Sequence, residues 1–258
     1  MFRALSRPSG MNSLTLTDLV DIGVFGGFAA FAVLDFLRPA RVFPKVRFWR
    51  LRGIAFFATY LVLSSLLPFV WDGWLGQHRL IDATGLGTFG GAAVGFVAYQ
   101  IVAYGWHRLM HRSNLLFRWV HQMHHSAERI DIWSAMIFSP TGMAAWTFVG
   151  SFALVLVVGV TPEAALLVAL SATLLAFLQH SNLKTPRWLG YFVVRPESHL
   201  LHHKRGVHAF NYSDLPVIDM IFGTYRNPHD VEGPAGYYDG ASDRILAMTL
   251  GRDVTRPA

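Results

Sequence analysis

The sequence predicts an all-α protein, a multi-pass bundle of transmembrane helices, and three observations lead there. Hydrophobic residues make up 53% of the chain and charged residues only 15%, against about 25% charged in soluble domains. The apolar residues gather into five runs, at about residues 14–37, 53–70, 85–104, 136–160 and 164–180, each near the ~20 residues that a helix needs to cross the hydrocarbon core. The basic residues mostly flank these runs, as they do where helix ends meet lipid headgroups.

Taken in order, residues 1–13 form a short basic, polar leader. The run at 14–37 reads as an uncleaved anchor. Ala30-Phe31-Ala32 has the small-x-small pattern of a signal-peptide cleavage site, but the run is long for a signal peptide and further spans follow. Asp18 and Asp21 lie near its start, at the expected interface. Arg38, Arg41, Lys45, Arg47, Arg50 and Arg52 then form the densest basic loop, which the positive-inside rule places on the cytoplasmic side. The run at 53–70 ends near Pro68 and Trp71. The run at 85–104 is rich in Gly and Ala, suited to close helix packing, and its glycines have no phosphate-loop context. The fourth and fifth runs read as a hairpin turning at Thr161-Pro162. Residues 14–226 are expected as the membrane domain and 227–258 as a C-terminal tail of surface loop.

This topology brings the chain's three histidine groups to one face. The segment His107 to His125 follows the third run, and Arg108, Arg112, Arg118 and Arg129 agree with a cytoplasmic position. The hairpin leaves and returns, so His180 and His199 to His203 end on the same side. The expectation is therefore a helical bundle with a cytoplasmic, histidine-rich, metal-binding cap.

The spacing of the histidines carries the chemistry. His107 and His111 are four apart; His121-Gln-Met-His124-His125 recurs in pattern as His199-Leu-Leu-His202-His203. On a helix, residues at i, i+3 and i+4 share a face. A straight helix from 107 to 125 would put its ends ~27 Å apart, so a common centre needs a bend, and Ser113-Asn114 is where helical hydrogen bonding is most easily broken. His180 adds a further ligand candidate. Nine clustered imidazoles exceed what one ion needs and suit two. With only Glu128, Asp131 and Glu197 nearby, a histidine-rich, carboxylate-poor pair suits iron handling dioxygen better than magnesium or calcium. The net charge is +6 and 19 of the 22 basic residues are Arg; with no nucleic-acid motif, anionic lipid is the expected partner. The chain has no cysteine, which excludes cysteine zinc sites, iron–sulfur clusters and c-type haem within it.

Blander readings stand beside this one. His78, His208 and His229 are lone histidines, read as bystanders, although His208 adjoins the second cluster. Trp106, Trp119, Trp133 and Phe177 read as interface belt or core. The clusters could decorate a headgroup-facing surface, or serve a membrane zinc protein without oxygenase activity. H-E-x-x-H, the usual hydrolase motif, is absent.

Tyr104-Gly-Trp-His-Arg-Leu-Met-His111, His121-Gln-Met-His-His-Ser126, His199-Leu-Leu-His-His203, Asn211-Tyr212 and Phe222-Gly-Thr-Tyr225 together resemble the fatty acid hydroxylase/sterol desaturase superfamily over about residues 38–226. Within it the chain is similar to bacterial members and the alkylglycerol monooxygenase branch. The resemblance implies an integral-membrane di-iron oxygenase that hydroxylates or desaturates an unactivated C–H of a lipid, with dioxygen as co-substrate. It implies that His107, His111, His121, His124, His125, His180, His199, His202 and His203 ligate two irons. Electrons are expected from a separate ferredoxin-, rubredoxin- or cytochrome-type protein, and Arg over Lys usage points to a bacterial inner membrane. The chain departs from the family at Ser213, where Gly is common, and at Ile218-Asp219-Met220, where Trp-Asp-Arg is common.

Overall fold

The computed structural model describes residues 14–257, so the expected leader at 1–13 lies outside the described residues. Helix α1 (Leu16–Leu37) starts at a reciprocal cap: the Thr15 hydroxyl accepts from the Asp18 N–H, and the Asp18 carboxylate accepts from the Thr15 N–H. Helix α2 (Trp49–Leu66) passes into α3 (Pro68–Gln77). Pro68 takes the first position of α3, where its missing N–H costs nothing, so the two continue as one apolar rod, Trp49–Gln77. The second span therefore runs past residue 70, near the Pro68 and Trp71 at which the sequence placed its end. Helix α4 (Gly87–Arg112) likewise outruns its apolar stretch and carries His107 and His111 on its last turns.

The short α5 (Asn114–Leu116), a π-helical turn (Phe117–His121) and α6 (Gln122–His125) follow. The hairpin is α7 (Pro140–Ser151), extended by a π-helical turn at Phe152–Val157, and α8 (Pro162–His180). Their N-termini are capped by the Ser139 and Thr161 hydroxyls. Short helices α9 (Pro196–His203), α10 (Pro216–Ile221) and α11 (Ile245–Thr249) complete the cap. Among the described residues there is no strand, and five helical rods are long and apolar enough to cross a membrane. The protein is an all-α integral-membrane protein, as its sequence predicts.

Helix α8 packs against both α1 and α4. The Gly/Ala-rich stretch serves packing: a Cβ on Gly91 would lie 3.1 Å from the Ala164 Cβ. Between the rods, Phe28 stacks on Phe57 at 4.6 Å and meets Phe177 edge-on at 5.5 Å. Outside, Leu19, Ile22, Phe25 and Phe36 of α1 are exposed, an apolar belt that only lipid would cover.

The tail corrects an expectation. After Arg226 the chain is not surface loop: Val231, Ala235, Tyr237, Ala241, Met248 and Val254 are buried against Met123 and Leu200. The Tyr237 hydroxyl donates to the Gln122 carbonyl at 2.9 Å, and Arg118 donates to the Gly251 carbonyl. The tail's apolar residues are too sparse to form a periodic pattern, but they share one core cluster with Met123 of α6 and Leu200 of α9. Asp35 near the end of α1 also ties spans to cap, accepting from the Ile132 and Asn182 N–H groups at 2.8 Å each.

Candidate metal centre

All nine clustered histidines meet at the cap end of the bundle and divide into two sets. His107, His111, His121, His125 and His202 each bring a ring nitrogen within 4.8 Å of the others, and His124, His180, His199 and His203 do the same. Eight of the nine are buried and His111 is partly exposed.

The bend comes where the sequence predicts it. Helix α4 ends at Arg112, Ser113 is extended (φ −111°, ψ 110°), and its side chain caps the Leu116 N–H. A straight helix would hold His111 and His121 ~15 Å apart; here their ring centroids are 4.9 Å apart. The π-helical turn at Phe117–His121 then sets the angle of α6.

The two H-x-x-H-H blocks are not each one face, as the spacing suggested. His121 and His125 serve the first set while His124 turns to the second; on α9, His199 and His203 serve the second while His202 turns to the first. At ~100° per residue, i+4 leads i by ~40° and i+3 trails it by ~60°. The i+3 and i+4 rings therefore diverge by ~100°, and only two centres, one on each side, use all three. Each block thus lends one ring across to its counterpart's centre.

Several rings are fixed in tautomer by backbone carbonyls, which can only accept. His107 Nδ1–H donates to the Tyr212 carbonyl at 2.9 Å, His180 Nδ1–H to Ala176 at 2.8 Å and His202 Nδ1–H to Phe210 at 2.7 Å. Their Nε2 atoms are then bare lone pairs. Yet His121 Nε2 stands 3.0 Å from the Nε2 atoms of both His107 and His125. In the second set His180 Nε2 is 3.0 Å from His199 Nε2 and 3.2 Å from His124 Nε2, and His203 Nε2 is 3.1 Å from His199 Nε2. His111 Nε2 and His202 Nε2 are buried without any partner. One proton cannot serve several converging lone pairs, whereas a cation can. Adjacent ligands at 90° with bonds of ~2.1 Å lie ~3.0 Å apart, matching the observed spacing, so the residues fit a metal in each set.

Burial pushes the imidazoles of His121, His124, His125, His199, His202 and His203 well below their ordinary pKa, and the neighbouring imidazoles push them further. They are held neutral, the form that ligates metal. The nearby carboxylates turn elsewhere. Glu128 accepts from the Gly240 and Ser242 N–H groups, Asp131 from the Trp49 indole and Arg129, and Glu197 from Thr185. Among the described residues, both sets are purely imidazole.

Sequence reasoning set His208 aside, but its Nδ1 lies 3.0 Å from His125 Nδ1, and burial pushes its pKa down to about 4. His78 instead stacks on Trp74, and His229 joins neither set. The carbonyls of Phe210 and Tyr212 gave no signal, because every residue has one. What aims them was visible only as motif. His208, Phe210 and Asn211 have positive φ (41°, 73° and 50°), strained for side-chain-bearing residues. The loop is held there by Asn211 Nδ2 donating to the Ser198 carbonyl and by the Arg226 N–H donating to Asn211 Oδ1. Beneath it, the Asp219 carboxylate accepts from the Tyr212 and Ser213 N–H groups at 2.9 Å each and from the Thr224 hydroxyl at 2.6 Å. The Asn-Tyr and Phe-Gly-Thr-Tyr segments thus orient His107 and His202 through backbone.

A cavity of about 740 Å³ opens from the histidines into the bundle. His107, His121, His124, His180 and His199 border one end and Pro68 and Pro162 the other. It follows one face of α8 from Pro162 through Ala165, Ala169, Ala172 and Ala176 to His180, a length of ~27 Å.

The family model for fatty acid hydroxylase matches residues 92–224 of this chain. Sphinganine C4-monooxygenase 1 of Arabidopsis thaliana is 28% identical over 145 residues, which cover 53% of this chain and 55% of that relative. The match thus spans about half the length of the curated relative. No solved structure matches the chain with significance.

Proposed function

The chain belongs to the fatty acid hydroxylase family, and from that premise we propose that it is a membrane-bound oxygenase. It uses dioxygen and electrons from a separate donor to oxidise an unactivated C–H bond of a lipid. One observation carries the reading: two adjoining all-imidazole sets close one end of a long cavity inside a membrane-spanning bundle. In this reading His107, His111, His121, His125 and His202 hold one iron, and His124, His180, His199 and His203 hold the other. When bound, the iron pair supplies the dioxygen activation that an unactivated C–H requires.

The chain's own residues provide the setting. The alanine-rich face of α8 and the apolar walls take up a lipid tail and exclude water. Phe138 stacks on His124 at 4.1 Å and Trp146 meets His107 edge-on at 5.8 Å, shielding the imidazoles where the cavity reaches them. The carbonyls of Tyr212, Phe210 and Ala176 hold Nδ1 protons in place, so each ring keeps Nε2 for the metal. Converting R–H and O2 to R–OH and water consumes two electrons and two protons. The chain has no cysteine and no internal redox group follows from its sequence, so a ferredoxin-, rubredoxin- or cytochrome-type partner supplies the electrons. The relative's name, a monooxygenase, favours hydroxylation over desaturation. The basic loop around Arg38–Arg52 supports a cytoplasmic position for the cap, in a bacterial inner membrane.

Metal analysis of the purified protein tests this. Two irons per chain, with lipid products gaining one oxygen on addition of reductant, are expected. A single tightly held zinc, with no oxygen consumption, would favour the metal-binding reading and end the oxygenase one.

A further inference from the structure

Besides the histidines, the cavity is bordered by two carboxylates, Asp72 and Asp214, and among its described lining residues there is no Lys or Arg. Asp214 stands at the histidine end. Its Oδ2 accepts from Gln100 Nε2 and its Oδ1 from Gln179 Nε2, both at 2.7 Å. The Gln100 side-chain Oε1 in turn accepts from the Asp214 N–H and the Ser213 hydroxyl, both at 3.0 Å. Gln100 is 0% exposed and Gln179 is 4% exposed, so this clamp is built into the core. Amide donors hold a carboxylate but do not neutralise it. Among the described residues no cationic side chain pairs with Asp214. Each carboxylate oxygen accepts one hydrogen bond and keeps capacity for another.

Its place is informative. Gln179 immediately precedes His180, and Asp214 follows by two residues the Tyr212 whose carbonyl holds His107. Gln100 lies seven residues before His107 on α4, ~10 Å along the axis. A polar head group bound there would lie close to the histidines, with the lipid tail running along α8 toward Pro162.

We propose that Asp214 is the polar anchor of this cavity, and that it selects lipids whose head group donates hydrogen bonds, an ammonium or a hydroxyl, over free fatty acids. The proposal rests on the reading of this cavity as the substrate site. A fatty-acid carboxylate would face Asp214 with no Lys or Arg side chain between them, whereas a donor head group completes the remaining acceptor positions. The oxidised carbon then lies within a few bonds of the head group rather than at the far end of the tail.

The test is equilibrium binding to the metal-loaded protein in nanodiscs, without reductant, by displacement of a fluorescent lipid. Octadecylamine, octadecanol, N-acetyl-octadecylamine and octadecanoic acid serve as probes at neutral pH. We expect the amine and the alcohol to bind at least roughly tenfold more tightly than the acid, the scale of one charge-assisted hydrogen bond, and acetylation to weaken the amine. Asp214→Asn should abolish the preference for the amine and the alcohol over the acid, and Asp72→Asn should leave it intact. Equal or tighter binding of the acid to the wild type would overturn the proposal whether or not a variant folds. Loss of the preference in Asp72→Asn but not in Asp214→Asn would overturn the anchor. Because no turnover is measured, a protein that binds in this order yet oxidises nothing would fail as an oxygenase while the binding inference stood.

Discussion

Removing the Asp219 carboxylate tests whether the loop beneath the histidines aims them. Asp219 is 0% exposed. It accepts the Tyr212 and Ser213 N–H groups at 2.9 Å each and the Thr224 hydroxyl at 2.6 Å. In Asp219→Ala the hydroxyl can rotate to another acceptor, but the two N–H groups are stranded. A stranded buried donor costs about 1–3 kcal/mol, so the loop loses about 2–6 kcal/mol of support. That loop is already strained at Phe210 and Asn211, whose φ values are 73° and 50°, so it relaxes. The Tyr212 and Phe210 carbonyls then leave His107 and His202, both in the first set. Loss of such orienting partners typically lowers metal affinity about 10–100-fold. Competitive chelation monitored by iron content checks this, with the first set losing its iron before the second. Wild-type affinity in a folded Asp219→Ala protein would refute the argument that backbone carbonyls position these rings.

Four further outcomes follow from the geometry. His202→Ala and His199→Ala should each lose the iron of their own set first, although both residues lie on α9; identical losses, read by metal analysis and Mössbauer spectroscopy, would contradict the crossed assignment. The metal-free protein should lose stability as pH falls. Six of the cap imidazoles have folded pKa values below the unfolded ~6.5. Below pH ~6.5 the unfolded chain therefore binds protons that the folded one refuses, at up to ~1.4 kcal/mol per pH unit for each histidine; a melting temperature unchanged from pH 7.5 to about pH 5.5 would contradict this. Gly142→Ala should drive a Cβ into the Val120 carbonyl beside His121, costing about 1–3 kcal/mol and lowering iron occupancy, as calorimetry and metal analysis would reveal. Met248→Ala, at a fully buried tail position, should cost about 2–5 kcal/mol, whereas a tail of mere surface loop would tolerate it.

The five spans were legible because each depends on local composition: a membrane rewards ~20 apolar residues wherever they occur. Their ends were less so. Pro68 looks like a stop, yet a proline at a first helical position continues a rod, and α4 carries polar residues past its apolar run because the cap receives them. The nine histidines were legible by spacing, and the bend at Ser113 followed from the length of a straight helix. Which ring serves which set was not, because i, i+3 and i+4 look like one face until two opposing blocks stand on either side. Asp214 and the carbonyls of Phe210 and Tyr212 left no periodic mark, since their roles come from partners up to 114 residues away. Sequence alone thus determined the membrane-spanning helices, the imidazole inventory and the bend, all set by short-range chemistry. The tertiary structure decided the crossed division of the rings, the packing of the tail over them and the acidic cavity, because each requires segments far apart in the chain to meet.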